Sequence, residues 1–465
     1  MSRTLQSFAF VLACAGACAA SAQDGQFDPR FGNYLPGRTL HQVLADTRQE
    51  AWALALQADG RVLLAGTYMA IRLGASGLPD PAFGNGAFGT EGVFAVQPFG
   101  IGTGFLRASA VLVQADGKVL WAGSAEGPDF RNRFVACRTS ADGELDPGYG
   151  QDGCFDYVVE PGHAADITAA ALDRAGRLVV AGSGSFSFGQ KIVVARVRTD
   201  GTLDTGYGTN GRTVILRFDE VAGGEGYQAA YGLAIDAQGR AIVVGDSGPA
   251  NVHDFAIARL DADGFPDASF GNGGVRTIDF AGQQQTDTAY QVVVQRSGRI
   301  LVSGYASYSG TQPGMAVLAL TPEGDLDPAF GNLAGRSIVW PVTTSAYAIA
   351  RGLAVQNDGR IVLAGYADNP ASGGAAGQDL VVVRLGADGT GPDTRFGSGG
   401  VFMAGFDLGS PGDTGTDDRL HGIALQGNRV LAAGGASDDW PDGWFAAIRL
   451  TEDRIFADGA EPPSP

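Results

Sequence analysis

Apolar residues fall along this chain in short alternating runs rather than at helical spacing, and the runs come in a fixed order. One is Leu353-Ala354-Val355-Gln356; a tight turn at Asn357-Asp358-Gly359 then leads into Arg360-Ile361-Val362-Leu363-Ala364-Gly365. Alternation over a few residues, bounded by Gly and Asp, predicts antiparallel strands joined as hairpins. The turn recurs as Asp59-Gly60, Asp116-Gly117, Ala175-Gly176, Gln238-Gly239 and Ser297-Gly298, and as Gly427-Asn428 in the last unit. Gly or Asn there supplies the positive φ that hairpin turns require. A third run ends in Arg-Leu, as in Phe255-Ala256-Ile257-Ala258-Arg259-Leu260, and a fourth follows a Phe-Gly step, as in Gly274-Val275-Arg276-Thr277-Ile278.

The Phe-Gly step carries an aspartate three residues earlier, at Asp28, Asp80, Asp146, Asp204, Asp267, Asp327 and Asp393. A strand-filled period of about sixty residues marks a repeat architecture. Four strands per unit predict an all-β, seven-bladed β-propeller of four-stranded antiparallel blades over residues 23–452. In the preferred register, counting the strand after the Phe-Gly step as the first of each unit, a blade takes strands two, three and four of one unit and the first strand of the next. The last blade then lacks its outer strand, and the ring is closed by pairing of N- and C-terminal strands. This register puts the Asp-Gly turns and the Arg-Leu to Phe-Gly links on one face. The connections of variable length share the other face, where binding is expected.

Charge narrows the partners. Asp+Glu 50 against Lys+Arg 32 gives a net charge of −18, which excludes nucleic acid and anionic membrane surfaces as partners. Residues 1–22 read as a signal peptide: Arg3, an apolar run from Phe8 to Cys18, then Ala20-Ser21-Ala22. The run is too short to span a bilayer, and no later segment qualifies. An exported protein, periplasmic or extracellular and monomeric, is expected; a lipoprotein anchored at Cys18 is the alternative. Residues 453–465 form a flexible C-terminal tail. Cys137 and Cys154 remain after cleavage, at the two ends of a hairpin-like connection. They are a disulfide candidate, with two buried thiols as the other reading.

Three motifs recur in order: Asp116-Gly117-Lys118-Val119-Leu120-Trp121-Ala122-Gly123, Arg259-Leu260-Asp261-Ala262-Asp263-Gly264 and Leu326-Asp327-Pro328-Ala329-Phe330-Gly331. In these the chain resembles the bacterial delta-60 repeat family over nearly all of residues 23–452. Ala319, where the family has Arg, and Ser76, where it has Asp, depart from the pattern. The resemblance implies a propeller in exported or surface proteins and brings no catalytic residues. The segment Arg454 to Glu461 also resembles an ending found on many secreted bacterial proteins.

Candidate chemistry is sparse. Asp261, Asp263 and Asp267 faintly resemble the start of a calcium loop, but the closing glutamate of an EF-hand is absent and turn chemistry accounts for them. No cofactor is expected, with calcium as the alternative. The arginines Arg72, Arg138, Arg196, Arg259, Arg384 and Arg449 are expected to pair with the repeated aspartates. His163, His253 and His421 fall in predicted connections on the variable face, as do or nearly do Phe130, Phe188, Tyr308, Tyr366 and Trp440. These eight are the candidate binding residues. Aromatic groups beside carboxylates suit a sugar or a basic protein segment. The expected function is a non-catalytic scaffold for an unknown protein or glycan. A glycan hydrolase or lyase on the variable face and a calcium-dependent adhesive module are the rivals.

Overall fold

The computed structural model describes residues 24–44, 49–67, 69–84, 92–95, 107–187, 189–215, 227–249, 252–280, 285–308, 311–343, 346–368, 377–406, 417–437 and 443–451. The expected signal peptide, residues 1–22, and C-terminal tail, residues 453–465, lie outside them.

The strands follow the hairpin pattern of the sequence. The first sheet takes β2 (Ala51–Leu56), β3 (Val62–Gly66), β4 (Met69–Leu73) and β5 (Val93–Ala95), with β1 (Arg38–His41) set apart. The second takes β6 (Arg107–Val113), β7 (Val119–Glu126), β8 (Asn132–Thr139) and β9 (Cys154–Tyr157), and the third β10 (Ala165–Leu172), β11 (Leu178–Phe186), β12 (Gly189–Val197) and β13 (Arg212–Ile215). The fourth is β14 (Tyr227–Ile235), β15 (Ala241–Gly248), β16 (Asp254–Leu260) and β17 (Val275–Ile278); the fifth is β18 (Thr288–Val294), β19 (Ile300–Ala306), β20 (Gly314–Leu320) and β21 (Arg336–Val339). Then come β22 (Ala348–Val355), β23 (Ile361–Asp368), β24 (Gln378–Leu385) and β25 (Val401–Ala404), followed by β26 (Asp417–Gln426), β27 (Arg429–Ser437) and β28 (Trp444–Leu450).

The expectation of seven separate four-stranded blades is corrected here. Among the described residues there are five four-stranded sheets, and the remaining eight strands form a single eight-stranded sheet. The reason is local. Gln378 of β24 and Asp417 of β26 bridge in parallel, and Arg419 clamps both, its Nε donating to Gln378 Oε1 at 2.7 Å and its guanidinium meeting Asp417 at 2.8 Å. The chain ends do pair: Arg38, Thr39, Leu40 and His41 of β1 lie opposite Ile448, Ala447, Ala446 and Phe445 of β28.

The middle strands are largely apolar because both their faces are covered. Val62–Gly66 and Met69–Leu73 are buried at every position, as are residues 314–320 of β20. Hydrophobic clusters join each sheet to the next, such as the one holding Trp121, Phe83 and Phe94 from the first and second sheets. The leading strands β2, β6, β10, β14, β18, β22 and β26 are instead only half-buried over much of their length. Each packs against the next, and β26 packs against β2, so the leading strands form a closed ring around a central axis.

A belt of identical clusters ties the sheets together. Arg72, Arg138, Arg196, Arg259 and Arg449 each donate Nε to the aspartate of the following Phe-Gly step or, for Arg449, to Asp28, at 2.7–2.9 Å. Each guanidinium lies over the ring of Phe83, Tyr149, Tyr207, Phe270 or Phe31, and each donates to a turn carbonyl of the neighbouring unit. The other oxygen of each aspartate accepts an N–H two residues on, the Asx turn anticipated from the sequence. Where Ala319 breaks the pattern, Arg299 takes over, reaching Asp327 at 2.9 Å and covering Phe330 at 4.9 Å. Cys137 and Cys154, opposite each other on β8 and β9, are disulfide-bonded with a separation of 17 residues. Closing a loop of that size limits the unfolded chain by about 3 kcal/mol in the chain-entropy account.

Candidate functional site

One irregularity recurs in every leading strand. Its pairing with the second strand slips by one residue, and the residue left over is Trp52, Ser109, Thr168 or Tyr231 in β2, β6, β10 and β14. In β18, β22 and β26 it is Tyr290, Arg351 and His421. A bulge re-aims the extra side chain. All seven line a central cavity of about 230 Å³, to which every leading strand contributes.

The glycine that ends each second-strand motif makes this possible. Gly123, Gly182, Gly245, Gly304, Gly365 and Gly434 lie opposite the bulges, and a Cβ on any of them would sit 1.8 Å from a carbonyl oxygen of the leading strand. Only glycine lets the two backbones approach so closely.

The backbone repeats at this level, but the chemistry does not. Arg351 lies with Cζ 3.8 Å above the Tyr290 ring, and Tyr290 meets Tyr231 edge-on at 5.2 Å. The Nε of Arg351 is buried without a hydrogen-bond partner. On the next two leading strands of the ring, His421 packs on Trp52 at 4.5 Å, and its Nε2 lies 2.9 Å from Glu50 Oε2. Burial lowers the His421 pKa against the pull of Glu50, and Arg351 and Arg419 push the same way. Arg107 covers Trp52 at 4.8 Å, and Trp52 Nε1 donates to Thr67 Oγ1 at 3.3 Å. Ser109 and Thr168 supply the hydroxyl side of the wall; Thr168 Oγ1 donates to the Ala230 carbonyl at 2.7 Å.

Of the eight residues anticipated from the sequence, one, His421, lines the cavity. His421 is not in a connection, as the sequence pattern suggested, but inside β26 with its ring at the cavity wall. Tyr366, in β23, is buried and stacks under Arg419, Cζ to ring centre 5.3 Å. His253 stacks on Tyr227 at 4.9 Å and faces Asp246 at 3.5 Å. His163 sits in the turn after Glu160, whose carbonyl accepts its backbone N–H at 3.1 Å. The three histidines thus have separate sets of partners. Phe130 is 81% exposed at the tip of the β7–β8 turn with φ 58, and Tyr308 is exposed in the β19–β20 connection. Phe188 and Trp440 lie outside the described residues.

The sequence reading also passed over an acidic group at the variable end. Asp254, Asp279 and Asp287 each bring an oxygen within 4.8 Å of the others. Both oxygens of Asp287 accept backbone amides, from Phe280 at 3.0 Å and Ser307 at 3.1 Å. Burial outweighs these donors and, with Asp254 and Asp279 nearby, pushes the Asp287 carboxyl up to about 7. An acid whose folded-state pKa is raised leaves the fold most stable below the unfolded value, near pH 4, and costs stability as pH rises to about 7. The melting temperature of Asp287→Asn should therefore gain on the wild type by a few degrees between pH 4 and 7.5. A gap that stays constant over that range would show an ordinary carboxylate.

A disulfide-bonded ring of antiparallel sheets around a central cavity defines the chain as a β-propeller. Residues 176–207, 239–270, 295–330 and 356–396 match a family described as "Domain of unknown function (DUF5122) beta-propeller". No curated relative matches the sequence. Among solved structures, a protein of unknown function from Dyadobacter fermentans is 13% identical, with 90% of this chain and 99% of that one covered and a TM-score of 0.40. The soluble aldose sugar dehydrogenase of Escherichia coli is 11% identical over 89% of this chain and 99% of that one, TM-score 0.33. A polysaccharide lyase is 12% identical over 78% and 83%, TM-score 0.38. At these scores the three say nothing about what this chain does. Among the described residues no helix is long and apolar enough to cross a membrane.

Proposed function

We propose that this chain is an exported, non-catalytic binding protein whose site is the central cavity, and that its ligand is a glycan, held by one sugar ring. The observation that supports this is the set of bulge residues. At one backbone position, repeated around the ring, the chain carries Trp52, Ser109, Thr168, Tyr231, Tyr290, Arg351 and His421. The Arg–Asp–aromatic belt, whose task is structural, repeats almost without change. A position that needed only to fill space would be served by the same small apolar residue each time. Aromatic faces interspersed with hydroxyl, amide and charged groups are the composition of a small-ligand site. The cavity admits one sugar ring rather than a chain, so a terminal residue is the natural epitope.

The test is a thermal-shift panel of neutral and acidic monosaccharides and short oligosaccharides. A ligand that binds only the folded state raises stability by about 2.7 kcal/mol at a hundred times its Kd. Ser109→Trp, which fills the cavity, should remove the shift, while Phe130→Ala and Tyr308→Ala on the exposed loops should keep it. A shift that survives Ser109→Trp but not the loop substitutions would move the site to the loops. A panel with no shift at all would count against glycan binding.

A further inference from the structure

The belt arginines of this protein share one arrangement. In the belt, each guanidinium meets a carboxylate at 2.7–3.1 Å: Arg72, Arg138, Arg196, Arg259, Arg384 and Arg449 are all paired. Arg351 is different. Its surroundings are the rings of Tyr290, Tyr366 and Tyr231, its side chain hydrogen-bonds to Tyr366, and it makes no ion pair among the described residues. Its Nε is buried and unpartnered, and its side chain lines the central cavity. Holding a largely desolvated guanidinium without an acid is costly in general, and a tyrosine face and a phenol hydroxyl offset only part of that cost. An apolar residue at this bulge would be cheaper for folding alone.

We infer that the cavity takes a saccharide bearing a carboxylate, a uronate-type sugar, with the carboxylate on Arg351. This rests on the glycan reading above and narrows it. The planar fork of a guanidinium matches the two oxygens of a carboxylate, and its Nε–H is the donor still free. The rest of the wall suits the remainder of a sugar: Trp52, Tyr231 and Tyr290 offer ring faces, and Ser109, Thr168 and Gln291 offer hydroxyl and amide groups. The charge balance selects one negative charge rather than two. Arg419 is already held by Asp417 at 2.8 Å, and Glu50 and Asp246 stand behind the wall on His421 and Thr288. A phosphate dianion would meet these carboxylates with Arg351 as the one cavity-lining guanidinium to answer it. A positive centre deep in a protein of net charge −18 also makes the preference depend on contact rather than on long-range attraction.

The test compares glucuronate and galacturonate with glucose and galactose by calorimetry on the full chain, with sodium acetate as a third arm. Uronates are expected to bind at least ten-fold more tightly than the neutral sugars. Arg351→Gln should equalise the two classes, and Arg351→Lys, which keeps the charge but loses the fork, should retain only part of the preference. If Arg351→Gln does not fold, as near-ultraviolet circular dichroism would reveal, Arg351→Lys alone decides, with a loss of several-fold expected. Neutral sugars binding as well as uronates, or an unchanged preference in either variant, would overturn the inference while leaving the glycan reading intact. Acetate binding as tightly as the uronates would overturn the saccharide part. Failure of every sugar to bind would overturn both readings together.

Discussion

Removing residues 24–41 is expected to abolish cooperative folding, although they are few and carry only one short strand. These residues close the ring. Arg38 to His41 form the outer strand on β28, and without them Phe445 to Ile448 become an unpaired edge. Phe31, 1% exposed, leaves the cluster that also holds Leu64, Ile71 and Leu431, a loss of about 3–5 kcal/mol in general for a buried Phe. Arg449 loses Asp28, its partner at 2.9 Å, which costs about 3–5 kcal/mol when one member of a buried pair is taken away. Arg384 loses Asp24 at 2.8 Å as well. Together these losses approach the whole stability of an ordinary domain, about 5–15 kcal/mol. The measurement is urea unfolding followed by near-ultraviolet circular dichroism, with limited proteolysis beside it. A shortened chain that still unfolds in one sharp transition, within about 2 kcal/mol of the parent by the linear extrapolation, would show that the ring does not depend on this closure.

The parts of this molecule that repeat were open to reading, and the parts that differ between repeats were not. The pairing of Arg259 with Asp267 could be anticipated because the same two residue types recur at the same spacing in most units. The compensation of Ala319 by Arg299 could not, since Arg299 stands on a different strand and meets Phe330 only in three dimensions. The joining of β24 to β26 rests on one bridge, Gln378 to Asp417, held by Arg419. Strand patterning gives no hint of it, and the count of separate sheets was misjudged for that reason.

The cavity residues were missed because the bulge breaks the parity on which strand reading depends. In Ala51-Trp52-Ala53-Leu54, strict alternation sets Trp52 and Leu54 on one face; the slip between Ala51 and Ala53 removes that equivalence. The variable loops carry most of the candidate binding residues, and among the described ones only His421 reaches the cavity wall. Yet a signal was present. Every second-strand motif ends in glycine, an expensive residue inside a strand, and a recurrent strand glycine marks a bulge or a close backbone approach. Gly66, Gly123, Gly182, Gly245, Gly304, Gly365 and Gly434 point across to the residues that matter.

The belt makes the other large prediction. Arg259→Ala should destabilise the protein by about 4–5 kcal/mol, at the upper end for breaking a buried ion pair. Arg259 is 1% exposed, and four partners converge on it: Asp267 at 2.9 Å, Ser269 Oγ at 3.0 Å, the Phe270 ring at 4.7 Å and the Pro322 carbonyl of the next unit. Alanine leaves Asp267 the more distant Arg240, at 3.5 Å, as its cation and removes the tie between adjacent sheets. Arg259→Met refills the space without the charge and should recover part of the loss, which separates packing from pairing. Arg276→Ala is the control, because its pair with Asp325 is 3.6 Å long and solvent-exposed; exposed pairs contribute about 0–1 kcal/mol. Arg299→Ala should behave like Arg259→Ala, since Arg299 does the same work over Phe330 where Ala319 cannot. Urea unfolding of the four variants gives the comparison. If Arg259→Ala proves no worse than Arg276→Ala, the belt is a by-product of the repeat and the apolar contacts between sheets hold the ring without it.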